Sequence, residues 1–391
     1  MATAAAWRLW PEQGFWNPCH AQLPRRLVNH ELVKQAWDGI DPAQVWDSHA
    51  HLIGTGDSGG GITVNPRTES LLDPGQYARR LFFLNAGCVH DAAGSVDRAY
   101  VDRVRNLIDG LRPGAKLLLY AFERAYDERG EPDAAHTIFH VPDRYARDVA
   151  RAHPAYFEWV ASIHPYRKDA VEALAAARRD GARAVKWLPS AMGIDPASPR
   201  CDPFYEFLSK NSLPLIAHAG LERAVLGREA HDFGNPLRLR RALVAGVRVV
   251  VAHCASMGED RDLDRGPNGP YVESFSLFAR VFEKYDNAYG DISAMTQINR
   301  AGPALARVIE HTDWHARLLN GSDYPLPGVM PIFSVDYLVS LKMVDAAAAD
   351  VLREIRLHNP LLFDFVLKRA LRSNGKALAG GVFETRGFFV R

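Results

Sequence analysis

The chain has 391 residues, of which 47% are hydrophobic and 24% are charged, a composition typical of globular proteins. Its 47 basic and 46 acidic residues give a net charge of +1, which argues against a nucleic-acid-binding protein. No apolar run approaches the roughly 20 residues that span a bilayer, so we expect no membrane segment.

The N-terminal stretch and the cysteines bear on the cellular setting. MATAAAWRLWPEQGFW is a poor match to a signal peptide, because Arg8 interrupts its apolar segment and Pro11 follows soon after. The four cysteines are widely separated and include no C-x-x-C pair, so we expect no disulfide framework. Together these features predict a reducing, cytoplasmic location.

Eight short apolar runs rich in β-branched residues predict strands at 43–51, 115–123, 156–164, 182–188, 213–218, 247–253, 287–293 and 317–323. Helix-period segments fill most of the gaps, at 168–181, 236–246, 273–285 and 302–311. This alternation indicates parallel strands, and eight such units are what a closed (β/α)₈ barrel requires. An open doubly wound sheet also alternates, so the periodicity favours the barrel without excluding the open sheet.

We interpret residues 1–391 as one α/β domain, a (β/α)₈ TIM barrel at 43–375 with two additions. Residues 1–42 form an N-terminal extension, and residues 52–114 form a long insertion after strand one, with helical patterning at 74–84 and 97–111. Trp7, Trp10 and Trp16 of the extension could pack on the chain's own barrel or on a second copy in a homodimer.

The stretch WDSHAHLIGTGDSGGG, residues 46–61, contains two competing signals. Gly54, Gly56 and Gly59 spell G-x-G-x-x-G, which binds dinucleotides only in a tight turn from a strand into a helix. Here GGITVNPRT follows, which is not a helix start, and QYARR occupies the positions where an acidic residue would bind the ribose. We therefore set aside an NAD-linked oxidoreductase and interpret the glycines as part of a mobile loop.

The histidines of the same stretch give the second signal. Alternate residues of a strand point the same way, so we expect Asp47, His49 and His51 to share one face. The two imidazoles could then converge on one metal ion.

Ligand-type residues also end four later strands: Lys186 in AVKWLP, His218 in PLIAHAG, His253 in VVVAHCAS and Asp323 in LLNGSDYP. Each has an ordinary explanation on its own, as a core histidine, a lysine reaching water or a turn-capping aspartate. All lie at the carboxyl ends of their strands, where barrel enzymes form their active sites, so a shared ion explains them better. Cys254 should point to the opposite face, and we leave it out.

With these residues in view, the sequence resembles the amidohydrolase superfamily, and DSHAHL, PLIAHAG, VVVAHC and NGSDYP resemble its amidohydrolase-2 branch. The resemblance runs from about residue 43 to the helix opened by Asn359 and Pro360, and it leaves residues 1–42 unexplained. It implies that His49, His51 and Asp323 hold a buried ion, while His218 and His253 hold a more exposed second ion.

The resemblance further implies that Lys186 is carboxylated by CO₂ and bridges the two ions. Many members of the branch use one ion and lack this lysine, so an unmodified Lys186 could instead bind a substrate carboxylate. We favour two ions. Imidazole and carboxylate ligands without thiolates suit Zn²⁺, with Mn²⁺, Fe²⁺ or Co²⁺ as alternatives.

The implied activity is hydrolysis of a carbonyl-centred bond of a small molecule, an amide, ester or lactone, by a metal-activated hydroxide. Asp323 would orient the hydroxide and carry its proton to the leaving group. One alternative is a mononuclear non-oxidative decarboxylase of an aromatic or unsaturated carboxylic acid, with His253 as the acid/base. Another is a catalytically silent, metal-stabilised protein that acts through partners.

Five further residues are candidates for the substrate pocket. Trp187 and Tyr324 directly follow ligand-type residues, and His164 ends strand three. Arg223 and Arg261 follow strands five and six, and arginine suits a planar carboxylate. The sequence does not identify the substrate.

Overall fold

The computed structural model describes residues 17–390 apart from positions 21, 226, 229, 330 and 331. The three tryptophans predicted to pack in the extension, Trp7, Trp10 and Trp16, lie outside the described residues. Within the described part, no helix has the length and apolar character needed to cross a membrane.

Eight parallel strands form the centre of the fold. They are β1 Trp46–His51, β2 Lys116–Tyr120, β3 Phe157–Val160, β4 Val185–Trp187, β5 Leu215–His218, β6 Val249–Ala252, β7 Ala288–Asp291 and β8 Leu318–Leu319. β1 to β3 pair in chain order, as do β4 to β8. Parallel bridges from Ala161 to Val185 and from Ala50 to Tyr324 join the two sets, so the sheet closes. The predicted (β/α)₈ barrel is therefore confirmed, with every predicted strand in place.

Helices surround this barrel. The α-helices are Arg25–Val28, Glu31–Ala36, Pro74–Ala86, Val96–Asp109, Asp143–Ala152, Ala170–Arg179, Pro189–Met192, Asp202–Lys210, Arg240–Val244, Ser274–Lys284, Pro303–Glu310, Val335–Ser340, Ala349–His358, Pro360–Ala370 and Arg386–Phe389. Two antiparallel ribbons, Thr63–Val64 with Phe139–His140 and Glu259–Arg261 with Tyr271–Glu273, and several short 3₁₀ helices complete the described elements.

The amino-terminal end of the barrel is filled by side chains. Trp46, Leu118 and Ile216 are buried in one apolar cluster inside the strands. Phe388 and Phe389 of the last helix belong to the same cluster, so this helix closes the base. The opposite, carboxyl end of the barrel is not filled in this way and contains a cavity.

A disulfide joins Cys19 of the extension to Cys88 of the insertion, 69 positions later. The expectation of no disulfide framework is therefore wrong, because packing of the extension on the insertion brings together cysteines that are distant in sequence. Cys201 and Cys254 are buried and free. The cytoplasmic location stays a prediction, without the support that this expectation gave it.

The glycine-rich loop after β1 and the helix Val96–Asp109 are joined by reciprocal hydrogen bonds of two aspartates, one in each segment. Asp57 accepts hydrogen bonds from Ser95 Oγ and the Val96 amide, both at 2.7 Å, at the start of helix Val96–Asp109. Asp97 in return accepts from the Thr55 amide at 2.7 Å and from Ser58 Oγ at 2.6 Å. The loop therefore has a defined conformation, and Asp57 occupies the helix end that a pyrophosphate would need.

Candidate metal centre

A β-bulge in β1 brings both histidines into the barrel. Asp47 is paired with Leu117 and Ala50 with Leu119, so two residues of β1 oppose one of β2. Trp46 therefore faces the interior together with His49 and His51, which strict alternation would forbid. Asp47 points elsewhere, and its Oδ1 accepts from the amides of His49 at 3.1 Å and Ser322 at 2.8 Å. The predicted shared face for Asp47 is wrong because of this bulge.

His49 Nε2 lies at the centre of a group of polar atoms. It is 3.2 Å from His51 Nε2, 3.5 Å from Asp323 Oδ1 and 3.4 Å from Lys186 Nζ. His51 Nε2 also lies 3.2 Å from Asp323 Oδ1. Two Zn–N bonds of about 2.0–2.1 Å at a tetrahedral angle hold their nitrogens about 3.3 Å apart. The spacing of the two imidazoles therefore fits a shared ion.

Carboxylates on the far side of two histidines fix the nitrogen that is available to a metal. His49 Nδ1 lies 2.9 Å from Asp291 Oδ2, and His218 Nδ1 lies 3.4 Å from Glu222 Oε2. Because carboxylates accept hydrogen bonds, Nδ1 of His49 carries the hydrogen and its Nε2 keeps a lone pair for a metal. The nearby Glu222 carboxylate favours the same tautomer of His218. The Nε2 atom of His218 is buried without a hydrogen-bond partner among the described residues, as expected of an atom whose natural partner is an ion.

His253 is prepared in the same way at the end of β6. Its Nδ1 lies 3.0 Å from the carbonyl oxygen of Ser293, which leaves Nε2 free to bind. His253, Cys254 and Ala255 all have positive φ, between 48° and 56°, a strained backbone of the kind that clusters at functional sites. The Cys254 thiol donates to the carbonyl oxygen of Asp291 at 3.2 Å, so it takes no part in the ligand group.

A second group of candidate ligands, His49, His253 and Asp291, is better described as a hydrogen-bond network. The Ser293 hydroxyl lies 3.1 Å from His49 Nδ1 and 2.8 Å from His253 Nδ1, and it also donates to Asp291. Asp291 accepts in addition from the amides of His253 and Ser293, each at 3.0 Å. The Asp291 carboxylate oxygens are therefore already hydrogen-bonded, and Asp291 orients His49 through its Nδ1 atom rather than binding a metal itself.

Burial keeps His49, His218 and His253 neutral, which is the form that binds metals. Burial, followed by the charge of Lys186, holds the pKa of His49 well below its usual range. Burial and then the charge of Arg300 do the same to the pKa of His253. Burial lowers the pKa of His218 to about 4, against the opposing effect of Glu222.

The two other ligand-type side chains respond differently to burial. Burial alone would raise the pKa of Asp323, but the hydrogen bond with His51 and the charge of Lys186 hold this pKa below its ordinary value, so Asp323 is ionised at neutral pH. Burial lowers the pKa of the Lys186 ammonium to about 8, although Asp291 and Asp323 favour its charged form.

All six residues of the predicted ligand group line one cavity of about 560 Å³ at the carboxyl end of the barrel: His49, His51, Lys186, His218, His253 and Asp323. This volume lies within the range of about 300–1,000 Å³ that is usual for ligand sites.

Two of the five predicted pocket residues, Trp187 and Tyr324, are not pocket walls. The Trp187 indole donates to the Ile163 carbonyl oxygen at 2.8 Å and packs against Phe204, on the outer side of β4. Tyr324 is fully buried beside Tyr100. Because neighbouring residues of a strand face opposite ways, a position next to an inward ligand was the wrong signal.

The other three predicted pocket residues divide between structure and site. His164 Nε2 lies 3.1 Å from the Met192 carbonyl oxygen, so this buried histidine holds the loop after β4 rather than contacting the cavity. The Arg261 guanidinium stacks on Tyr271, 4.6 Å from the ring centroid, and does not line the cavity. Arg223 does line it.

Sequence reasoning missed two residues after β6. Asp291 ends β7 in the NAYGDIS run, where a buried carboxylate at a strand end was a usable signal. Arg300 lines the cavity, is 8% exposed, and its Nε has no hydrogen-bond partner among the described residues. Burial lowers the pKa of Arg300, while Asp323 and Glu222 favour its charged form. No pattern around QINR singles this arginine out.

A family model, Amidohydro_2, described as amidohydrolase, matches residues 46–361. Similar solved structures include an uncharacterised TIM-barrel protein of Bordetella bronchiseptica, at 18% identity and TM-score 0.47, covering 79% of this chain and 98% of that one. A 5-carboxyvanillate decarboxylase of Sphingomonas paucimobilis has 12% identity and TM-score 0.44, with 82% and 96% coverage. A 4-oxalomesaconate hydratase of Rhodopseudomonas palustris has 14% identity and TM-score 0.43, with 88% and 95% coverage. No curated protein sequence matches the chain significantly.

Proposed function

The chain belongs to the Amidohydro_2 family of amidohydrolases, and from this premise we propose that it is a metal-dependent hydrolase of a small molecule. The bond cleaved is carbonyl-centred, an amide, ester or lactone. The observation that carries the proposal is the convergence of His49 Nε2, His51 Nε2 and Asp323 Oδ1 within 3.5 Å of one another on the cavity floor.

The residues present fit a divalent ion, and Zn²⁺ suits them best, with Mn²⁺, Fe²⁺ or Co²⁺ as alternatives. His49, His51 and Asp323 would hold the first ion. His218 and His253 would hold a second, with carboxylated Lys186 between the two. When bound, the metal lowers the pKa of its water toward about 7 and polarises a carbonyl.

Asp323 is the residue that we propose moves the proton. Its carboxylate is ionised at neutral pH, since the hydrogen bond with His51 holds its pKa low. It can accept a proton from the attacking water and return it to the amine or alkoxide that leaves. The buried guanidinium of Arg300, in the same cavity, can stabilise the negative oxygen that develops on the substrate.

A non-oxidative decarboxylase of an aromatic or unsaturated carboxylic acid is the second candidate. The cationic groups beside the site favour it, because unmodified Lys186 and Arg300 both line the cavity and could bind the carboxylate. His253 would then act as the acid/base that protonates the carbon from which CO₂ departs. This reaction needs one ion only.

Metal analysis of protein purified without added metal tests the proposal, together with turnover of a panel of amides, esters, lactones and aromatic acids. We expect at least one equivalent of a divalent metal and hydrolysis that chelation abolishes. The products separate the two candidates, because decarboxylation releases CO₂ from the acid and hydrolysis does not. Less than half an equivalent of metal, with activity indifferent to chelators, would contradict both candidates.

A further inference from the structure

Above the metal floor, most of the cavity surface is hydrocarbon, although polar side chains, among them Gln76, Arg79, Arg80 and Gln297, also line it. Helix Pro74–Ala86 of the insertion contributes Phe82 and Phe83, and the segment after β2 contributes Phe122 and Phe139. Ile298 and Ile332, from the loops after β7 and β8, also line the cavity.

All of these wall residues except Phe122 are left at least partly uncovered by the described part of the chain. Ile298 is 43% exposed, and Phe82, Phe83 and Phe139 are only partly buried. A hydrophobic core buries such side chains fully, whereas a binding cavity leaves them open to the ligand. Exposed apolar surface that borders polar groups is typical of a ligand-binding site.

The wall is a built part of the fold. Asp73 caps helix Pro74–Ala86 by accepting from the Gln76 amide at 3.3 Å, and the Cys19–Cys88 disulfide lies two positions beyond the end of this helix. The ribbon of Thr63–Val64 with Phe139–His140 joins the insertion to the segment after β2. The two aromatic walls are therefore fixed relative to each other.

We propose that the substrate carries a bulky apolar group, aromatic or branched hydrocarbon, that occupies this upper part of the cavity. Its reacting carbonyl or carboxyl group then lies at the floor beside Arg300. The position of the reacting end rests on the proposed function. The upper part of the cavity with its apolar walls, which we call the apolar chamber, does not. A small polar acid would leave the aromatic walls in contact with water, so it is a poor fit.

Calorimetric titration with acetate, benzoate and 4-phenylbenzoate tests this inference, because the three share a carboxylate and differ in hydrocarbon. We expect 4-phenylbenzoate to bind at least tenfold more tightly than benzoate, and acetate to bind weakest. Ile298→Asp should remove most of that gain, and Ile298→Ala should remove less. The gain is taken as the ratio of the 4-phenylbenzoate and benzoate affinities, because the added carboxylate repels both anions alike. Val244→Asp is the matched control, since Val244 is 75% exposed and does not line the cavity.

Each titration is run on metal-free and metal-loaded protein. If affinity rises with the size of the hydrocarbon in metal-free protein, the inference of an apolar chamber is supported. If added metal changes none of the affinities, that result counts against the proposed function but not against the chamber. Equal affinity for benzoate and 4-phenylbenzoate would overturn the inference. So would an Ile298→Asp variant that binds 4-phenylbenzoate as the Val244→Asp variant does.

Discussion

Replacing Asp291 by Asn should weaken metal binding at His49 while the chain stays folded. The Asp291 carboxylate accepts from His49 Nδ1 at 2.9 Å and from the amides of His253 and Ser293 at 3.0 Å. The Asn oxygen can keep the two amide bonds. Its NH₂ group then faces His49 Nδ1 and favours the tautomer with the hydrogen on Nε2, which cannot bind a metal.

The magnitude follows from the bond that is lost. Binding a metal through Nε2 forces Nδ1–H against the Asn NH₂ group, so one charge-assisted hydrogen bond worth about 1.5–3 kcal/mol disappears. At about 1.4 kcal/mol per factor of ten, metal affinity should fall roughly 10- to 150-fold. This range overlaps the 10–100-fold loss that is usual when such supporting groups are removed.

Competition with a chromophoric chelator measures the affinity, and thermal unfolding without metal checks the fold. Asp260→Asn is the control, because Asp260 is a buried aspartate that does not line the cavity. A metal affinity of Asp291→Asn within about twofold of that of the control would refute the tautomer argument.

Three further predictions concern stability. Replacing Cys19 and Cys88 by Ser should lower the free energy of unfolding by roughly 4 kcal/mol, as expected for closure of a loop of about 70 residues, and a reductant should reproduce this in the wild type but not in the variant. Burial lowers the pKa of His164 to about 3, so between pH 6.5 and 3 the unfolded chain binds a proton that the native state does not. The free energy of unfolding therefore decreases as the pH is lowered through this range. In urea unfolding, His164→Gln should therefore lose about 2 kcal/mol less than the wild type between pH 6.5 and 4.5, and equal losses would contradict this. Trp187→Phe should cost about 1 kcal/mol, from its bond to Ile163, with turnover of the metal-loaded protein unchanged, whereas a marked rise in KM would return Trp187 to the pocket.

The barrel and its family were predictable because both depend on local pattern. Short apolar runs and helix-period gaps specify each unit, and the rule that barrel sites form at the carboxyl strand ends needs no knowledge of packing. From that rule we predicted that His218, His253 and Asp323 lie at one site. In the structure they line the same cavity as His49 and Lys186.

What failed depends on packing between distant segments or on local departures from regular geometry. The bulge in β1 changed the facing of Asp47, and it is visible only in the pairing with β2. The Cys19–Cys88 bridge depends on how the extension docks on the insertion. Arg300 lies in a loop without periodicity, so its burial beside the ligand group follows only from the closed fold.

The aromatic plug at the amino-terminal end of the barrel has a consequence for synthesis. Phe388 and Phe389 share a buried cluster with Trp46, which leaves the ribosome more than three hundred residues earlier. The base of the barrel can therefore be filled only after more than three hundred further residues have been made. Until then, the interior face of the nascent barrel stays open to water and is a surface for chaperones to protect.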